Sequence, residues 1–144
     1  MHGDNKIEVF AHLGRYYQVL TSETEFGIGE THDIRIEYDG EEFKLYVDNV
    51  LENSKVVEGE DNLPDGLNGL YIGRSSDLVE EANIIIESLQ LWNDAVPYSE
   101  NPNSSHPNLI GYWKFDEGEG NIIHDKSSYG HHGTVLGATW EIEN

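Results

Sequence analysis

A chain of 144 residues with no cysteine can form one domain with a sizeable core, but disulfide stapling, thiolate zinc sites and cysteine nucleophiles are excluded. Its 28 acidic residues against 8 basic ones, a formal charge of −20, oppose nucleic acid and anionic lipid, which need clustered Lys and Arg, and favour solubility and cations. No apolar run approaches the roughly 18 to 20 residues of a membrane span, and MHGDNKIEV shows no export signal of charged start and hydrophobic stretch.

Alternation of apolar and polar residues runs through the chain. Ile7, Val9 and Ala11 alternate with Lys6, Glu8 and Phe10, and a further run begins at Tyr16. Ile34, Ile36 and Tyr38, then Phe43, Leu45 and Val47, repeat the period of two that marks strands. Asp39-Gly40 lies between those two runs, and this dipeptide supplies the positive φ angles of a type I′ hairpin turn. Strand patterns continue at Val50 to Val57, Leu70 to Gly73, Ile84 to Trp92, Ile110 to Phe115, Ile122 to His124 and Gly133 to Trp140. Helical spacing never persists beyond about one turn, so almost no helix is expected. Many short strands with turn signals between them predict an antiparallel two-sheet sandwich. Tyr98 to Asn108, YSENPNSSHPN, is rich in Pro, Ser and Asn and reads as a linker.

The stretch GYWKFDEGEGNIIHDKSSYGHHGTVLGATW, Gly111 to Trp140, resembles the opening strands of laminin-G-like, concanavalin-A-like jelly-roll modules. Those open with an aromatic strand, Phe-Asp-Glu-Gly, an Asp-Ser-Ser turn and a His-His-Gly loop. Ile36 to Leu51, Gly69 to Ser76 and Ile84 to Asp94 resemble the family's closing half. The halves are thus transposed. The resemblance implies an all-β jelly-roll sandwich, either circularly permuted, with 1–97 as the C-terminal half, 98–108 as the junction and 109–144 as the N-terminal strands of a single domain, or a piece spanning the end of one module and the start of the next. A middle portion of the family is not evident, and an unfilled gap would expose sheet edges that invite a partner chain or a homodimer.

The resemblance also implies a structural calcium held by Asp125 of the Asp-x-Ser-Ser turn and Glu87 at the start of the last long strand, with Asp116 nearby. Calcium takes six to eight hard oxygens, and such a loop can supply them. From the residues alone, Asp125 equally reads as a turn cap whose carboxylate accepts N–H groups two residues on, or as a ligand for another divalent ion. His131 and His132 are adjacent and on a strand would face opposite ways, so they are not expected to ligate one ion together. Trp92 and Trp113 sit in apolar contexts that predict core packing, whereas Tyr129, Tyr16 and Tyr17 adjoin turns, where binding residues concentrate.

Glu37, Asp39 and Glu42 reproduce the Glu-x-Asp-x-x-Glu spacing of jelly-roll glucanases. Retaining glycosidases need two carboxyl groups about 5 to 5.5 Å apart. The Asp39-Gly40 turn is expected to put Glu42 on the next strand and so break that arrangement. The expectation is a non-catalytic module that binds carbohydrate, with a protein-interaction or self-assembly module as the alternative and a small glycoside hydrolase third. The family resemblance suggests an extracellular or cell-surface setting.

Overall fold

The structure, a computed structural model, describes residues 5–13, 16–57, 84–94, 96 and 101–141, without the side chains of 12, 13, 16 and 17. The expected strand at Leu70 to Gly73 lies outside the described residues. The described part is all-β, with nine strands, four antiparallel sheets and no helix. It falls into two compact units, Met1–Ala82 and Asn83–Asn144.

In the first unit β1 (Glu8–Leu13) and β2 (Tyr16–Thr21) form a hairpin, and β3 (Ile34–Tyr38), β4 (Glu42–Val47) and β5 (Val50–Val56) form a sheet in that order. Ile36 lies opposite Leu45 and Tyr38 opposite Phe43, so the apolar halves of both alternating runs share one face. Leu20, Phe43, Leu45, Val47 and Val57 are buried there, with Ile7, Val9, Ala11, Phe26 and Tyr38 packed against them. Hairpin and sheet thereby make a sandwich-like pair of layers. The cover stops at β3, where Ile34 and Ile36 stay 53% and 51% exposed.

The layers are also joined by hydrogen bonds. The register shifts so that Glu52 is the extra residue of a β-bulge, between Leu45↔Asn53 and Tyr46↔Leu51. A bulge re-aims a side chain. That of Glu52 is buried and accepts the Thr24 N–H at 2.8 Å and the Thr24 hydroxyl at 3.0 Å. Asn53 Nδ2 donates to the Thr21 carbonyl at 2.8 Å, while within the hairpin layer the Ser22 hydroxyl accepts the Ile7 N–H at 3.0 Å.

The hairpin turns differ from expectation. Asp39-Gly40 does not form a type I′ turn, because only Gly40 has positive φ, +98°. The Asp39 carboxylate instead accepts the Glu41 and Glu42 N–H groups at 3.0 and 2.8 Å, shaping a longer connection. As expected, the strand is broken there, and Glu42 belongs to β4 while Glu37 pairs with Lys44. The two-residue turn is Asp48-Asn49, with φ of 50° and 65°, the angles a type I′ turn requires.

Asp48 also meets His32. Nδ1 of His32 lies 2.8 Å from Asp48 Oδ2, and Nε2 lies 3.4 Å from Glu30, an ion-pair distance without hydrogen-bond geometry. The hydrogen bond to Asp48 is the main cause that raises the His32 pKa, and the bond from His32 is the main cause that lowers that of Asp48. A raised histidine contributes stability that is complete below its unfolded value of about 6.5 and fades as pH rises through the folded one. The lowered aspartate works the other way, losing its contribution as pH falls through its folded value. We therefore expect the melting temperature to fall between pH 6 and pH 8 by more in the wild type than in His32→Asn; equal falls would contradict the clamp.

In the second unit β6 (Leu89–Trp92) pairs with β7 (Leu109–Trp113), and β8 (Ile122–Ile123) pairs with β9 (Gly133–Thr134). The segment that resembles an opening strand thus pairs with the end of the Ile84 to Trp92 run in the same chain. Residues 84–88, expected as strand, form no ladder among the described residues, and Ile84 and Ile85 are exposed. Strand β7 stops before Phe115, whose φ of 53° takes a bulky residue into the left-handed region and out of the extended conformation. The described part of the expected linker, 101–108, is a bonded connection. The His106 N–H donates to the Asn103 carbonyl, the Asn93 N–H donates to the Asn108 carbonyl, and the rings of His106 and Trp92 meet edge to face at 5.2 Å.

Candidate functional site

Residues 124–132 join β8 to β9 and lie along the side of β7. Asp125 is 7% exposed and organises this loop. Its Oδ1 accepts the N–H groups of Tyr112 at 2.9 Å and Ser127 at 2.8 Å, and its Oδ2 accepts the Ser127 hydroxyl at 2.8 Å and the His131 N–H at 2.7 Å. Burial works against the charged carboxylate, but these donors outweigh it and hold the pKa below the ordinary value. The Asp125 N–H in turn donates to His132 Nδ1 at 3.1 Å.

The loop completes its hold on β7 through the main chain. Lys126 N–H donates to the Tyr112 carbonyl at 2.7 Å, and His131 Nδ1 donates to the carbonyl of Ile110 at 2.8 Å. Ile110 is the extra residue where the β6–β7 register shifts, between Leu91↔Gly111 and Trp92↔Leu109. Backbone groups of β7 that an edge strand would offer to another chain are used within the unit.

Aromatic side chains frame the loop. Trp113 is half-buried and its indole N–H donates to the His131 carbonyl at 2.9 Å. Its ring lies across Gly111, where an added Cβ would run into the indole. Gly111→Ala is expected to cost about 1–3 kcal/mol of stability through this overpacking, read by urea denaturation. A change below about 0.5 kcal/mol would contradict the placement of Trp113. The indole N–H groups of Trp92 and Trp140 are likewise bonded, to Gln90 Oε1 and the Gly120 carbonyl, and all three tryptophans are half-buried rather than fully internal.

Tyr129 is the exposed member, at 49%. Its ring stacks on His131 with centroids 5.7 Å apart and planes 22° from parallel, and its hydroxyl donates to the Pro107 carbonyl at 3.0 Å. Stack and hydrogen bond together fix the ring in place. Tyr16 and Tyr17 lie in β2, and their side chains are outside the described ones.

The carboxylates expected around calcium are not gathered into one set. Asp116 is exposed and faces Lys126 at 3.7 Å, and Glu87 is exposed in the stretch before β6. Among the described residues no three His, Asp or Glu side chains form a group able to hold an ion. Asp125 has both oxygens turned to N–H and O–H donors, so ligation would require it to release them. As placed, Asp125 is a loop-organising carboxylate. Sequence reading missed the reach of Asp125 to Tyr112 and the stack of Tyr129 on His131; the Tyr-x-His spacing beside two glycines was their only trace.

Comparison with known protein families, curated proteins and solved structures gives no match for the chain.

Proposed function

We propose that the chain is a non-catalytic binding module whose ligand is a carbohydrate, held at the loop between β8 and β9. The observation that carries this reading is the exposed Tyr129 ring, stacked on His131 and tied to Pro107. Sugar rings present C–H faces that pack on aromatic rings, and a ring fixed in advance loses little entropy on binding. The Asp125 bonds supply the rigid support such a site needs. Pairing of β6 with β7 supports the permuted jelly-roll order, with the two resembling halves joined through 98–108.

A second reading has its own support. Ile34 and Ile36 continue the buried face of β4 outward yet remain exposed, and a partner protein or second copy could cover them. Affinity electrophoresis in gels containing neutral and acidic polysaccharides separates the two. The carbohydrate reading expects retardation by at least one polysaccharide. No retardation in any gel, together with a mass that rises with concentration and falls in Ile36→Thr, would replace it with the assembly reading.

A further inference from the structure

We infer that the Tyr129–His131 platform takes neutral pyranose sugars and disfavours sulfated or uronic glycans; this rests on the carbohydrate reading above and names the substrate class of that same site. Charge is the first ground. Between 83 and 144 the sequence holds nine carboxylate residues against two lysines, Lys114 and Lys126, and no arginine. Among the described residues only Lys126 has a carboxylate beside it, and Lys114 bonds a neutral amide, so two cations stand against nine carboxylates. Lys126 faces Asp116 at 3.7 Å, and Lys114 Nζ donates to Asn101 Oδ1 at 3.5 Å. Polyanions bind through clustered Lys and Arg, and a net negative surface repels them before contact.

The second ground is the hydrogen-bonding character of the platform. A carbonyl can only accept, so the 2.8 Å contact with Ile110 fixes the proton of neutral His131 on Nδ1. Nε2 of the exposed imidazole then carries a lone pair. It accepts from a sugar hydroxyl and repels a carboxylate or sulfate oxygen, which brings no proton. The Tyr129 hydroxyl, spent on Pro107, leaves the ring face as the surface that residue offers. The face of Tyr129 that His131 does not cover is apolar and suits the C–H face of a neutral hexose, while Nε2 offers an acceptor to a hydroxyl of a neighbouring unit.

The test is affinity electrophoresis of the full chain at low ionic strength in gels carrying a soluble neutral β-glucan, a galactomannan or heparin. We expect a neutral polysaccharide to bind at least tenfold more tightly than heparin. Tyr129→Ala should weaken the neutral interaction about tenfold or more, while Tyr129→Phe, which keeps the ring, should retain most of it; circular dichroism of each variant confirms the fold. Heparin binding as tight as that of the neutral glycans would overturn this inference and leave the carbohydrate reading standing. Neutral binding unchanged in a folded Tyr129→Ala would remove the site. Binding to none of the three would overturn the inference together with the reading beneath it.

Discussion

Replacing Asp125 by alanine is expected to lower stability by about 3 kcal/mol or more, because three backbone N–H groups and a hydroxyl lose their acceptor at once. Tyr112, only 4% exposed, bears the largest share, since water reaches its N–H least readily. Asp125→Asn keeps one acceptor oxygen but turns an amide NH2 toward donors, and should fall between wild type and alanine. The depressed pKa of Asp125 adds a pH signature. Its contribution is present above the unfolded value near 3.9 and is lost as pH falls through the lower folded value, so the acid limb of the stability curve should be flatter in Asp125→Asn. Thermal unfolding followed by the near-ultraviolet signal of the tryptophans reads both effects. An alanine variant as stable as the wild type would show that the loop does not depend on this carboxylate.

The other large effect belongs to the first unit. Phe43 is 1% exposed on the inner face of β4, flanked by Leu45 at 0% and packed in the cluster that joins hairpin and sheet. Phe43→Ala should cost about 3–5 kcal/mol, the transfer free energy of the lost ring plus the cavity left behind. Ile34→Thr, on the same face but beyond the cover, should stay within about 0.5 kcal/mol of wild type. Urea denaturation of both variants measures the contrast. Equal losses would mean that β3 is as deeply packed as β4.

That contrast also marks how far the sequence could be read. Alternation identified Phe43, Leu45 and Val47 as inward-facing, because period two is a local property of an extended chain. It assigned Ile34 and Ile36 the same face correctly but could not say where the covering layer ends, which depends on β1 and β2. Turn chemistry was misplaced for a similar reason. Asp39-Gly40 has the composition of a type I′ turn, yet the Asp39 carboxylate bonds Glu41 and Glu42 and selects a longer connection. Asp48-Asn49 took the two-residue turn with no glycine.

Asp125 was legible as a residue of consequence, and the turn-cap reading matches its bond to the Ser127 N–H, but its reach to Tyr112 was not legible. A carboxylate in an Asp-x-Ser-Ser turn accepts the N–H two residues on whether or not it also holds an ion. What distinguishes the two roles is the origin of its remaining partners, and Tyr112, thirteen residues upstream, arrives only through the pairing of sheets. Glu87 and Asp116 were placed by analogy with a family's strand order. In this chain Glu87 precedes β6 outside any ladder of the described residues, and Asp116 turns to Lys126. Tyr129 was singled out for its place beside a turn, but its fixed orientation comes from Pro107, far off in sequence, and from His131, which only the Tyr-x-His spacing hinted at.

Amide hydrogen exchange of Tyr112, Ser127 and His131, followed by NMR, tests most directly whether Asp125 holds the loop between β8 and β9 with the chain's own donors. These amides should exchange slowly and equally in EDTA and in millimolar calcium, and should lose protection in Asp125→Ala. Protection that appears only when calcium is added would contradict the account and restore Asp125 to the role of a metal ligand.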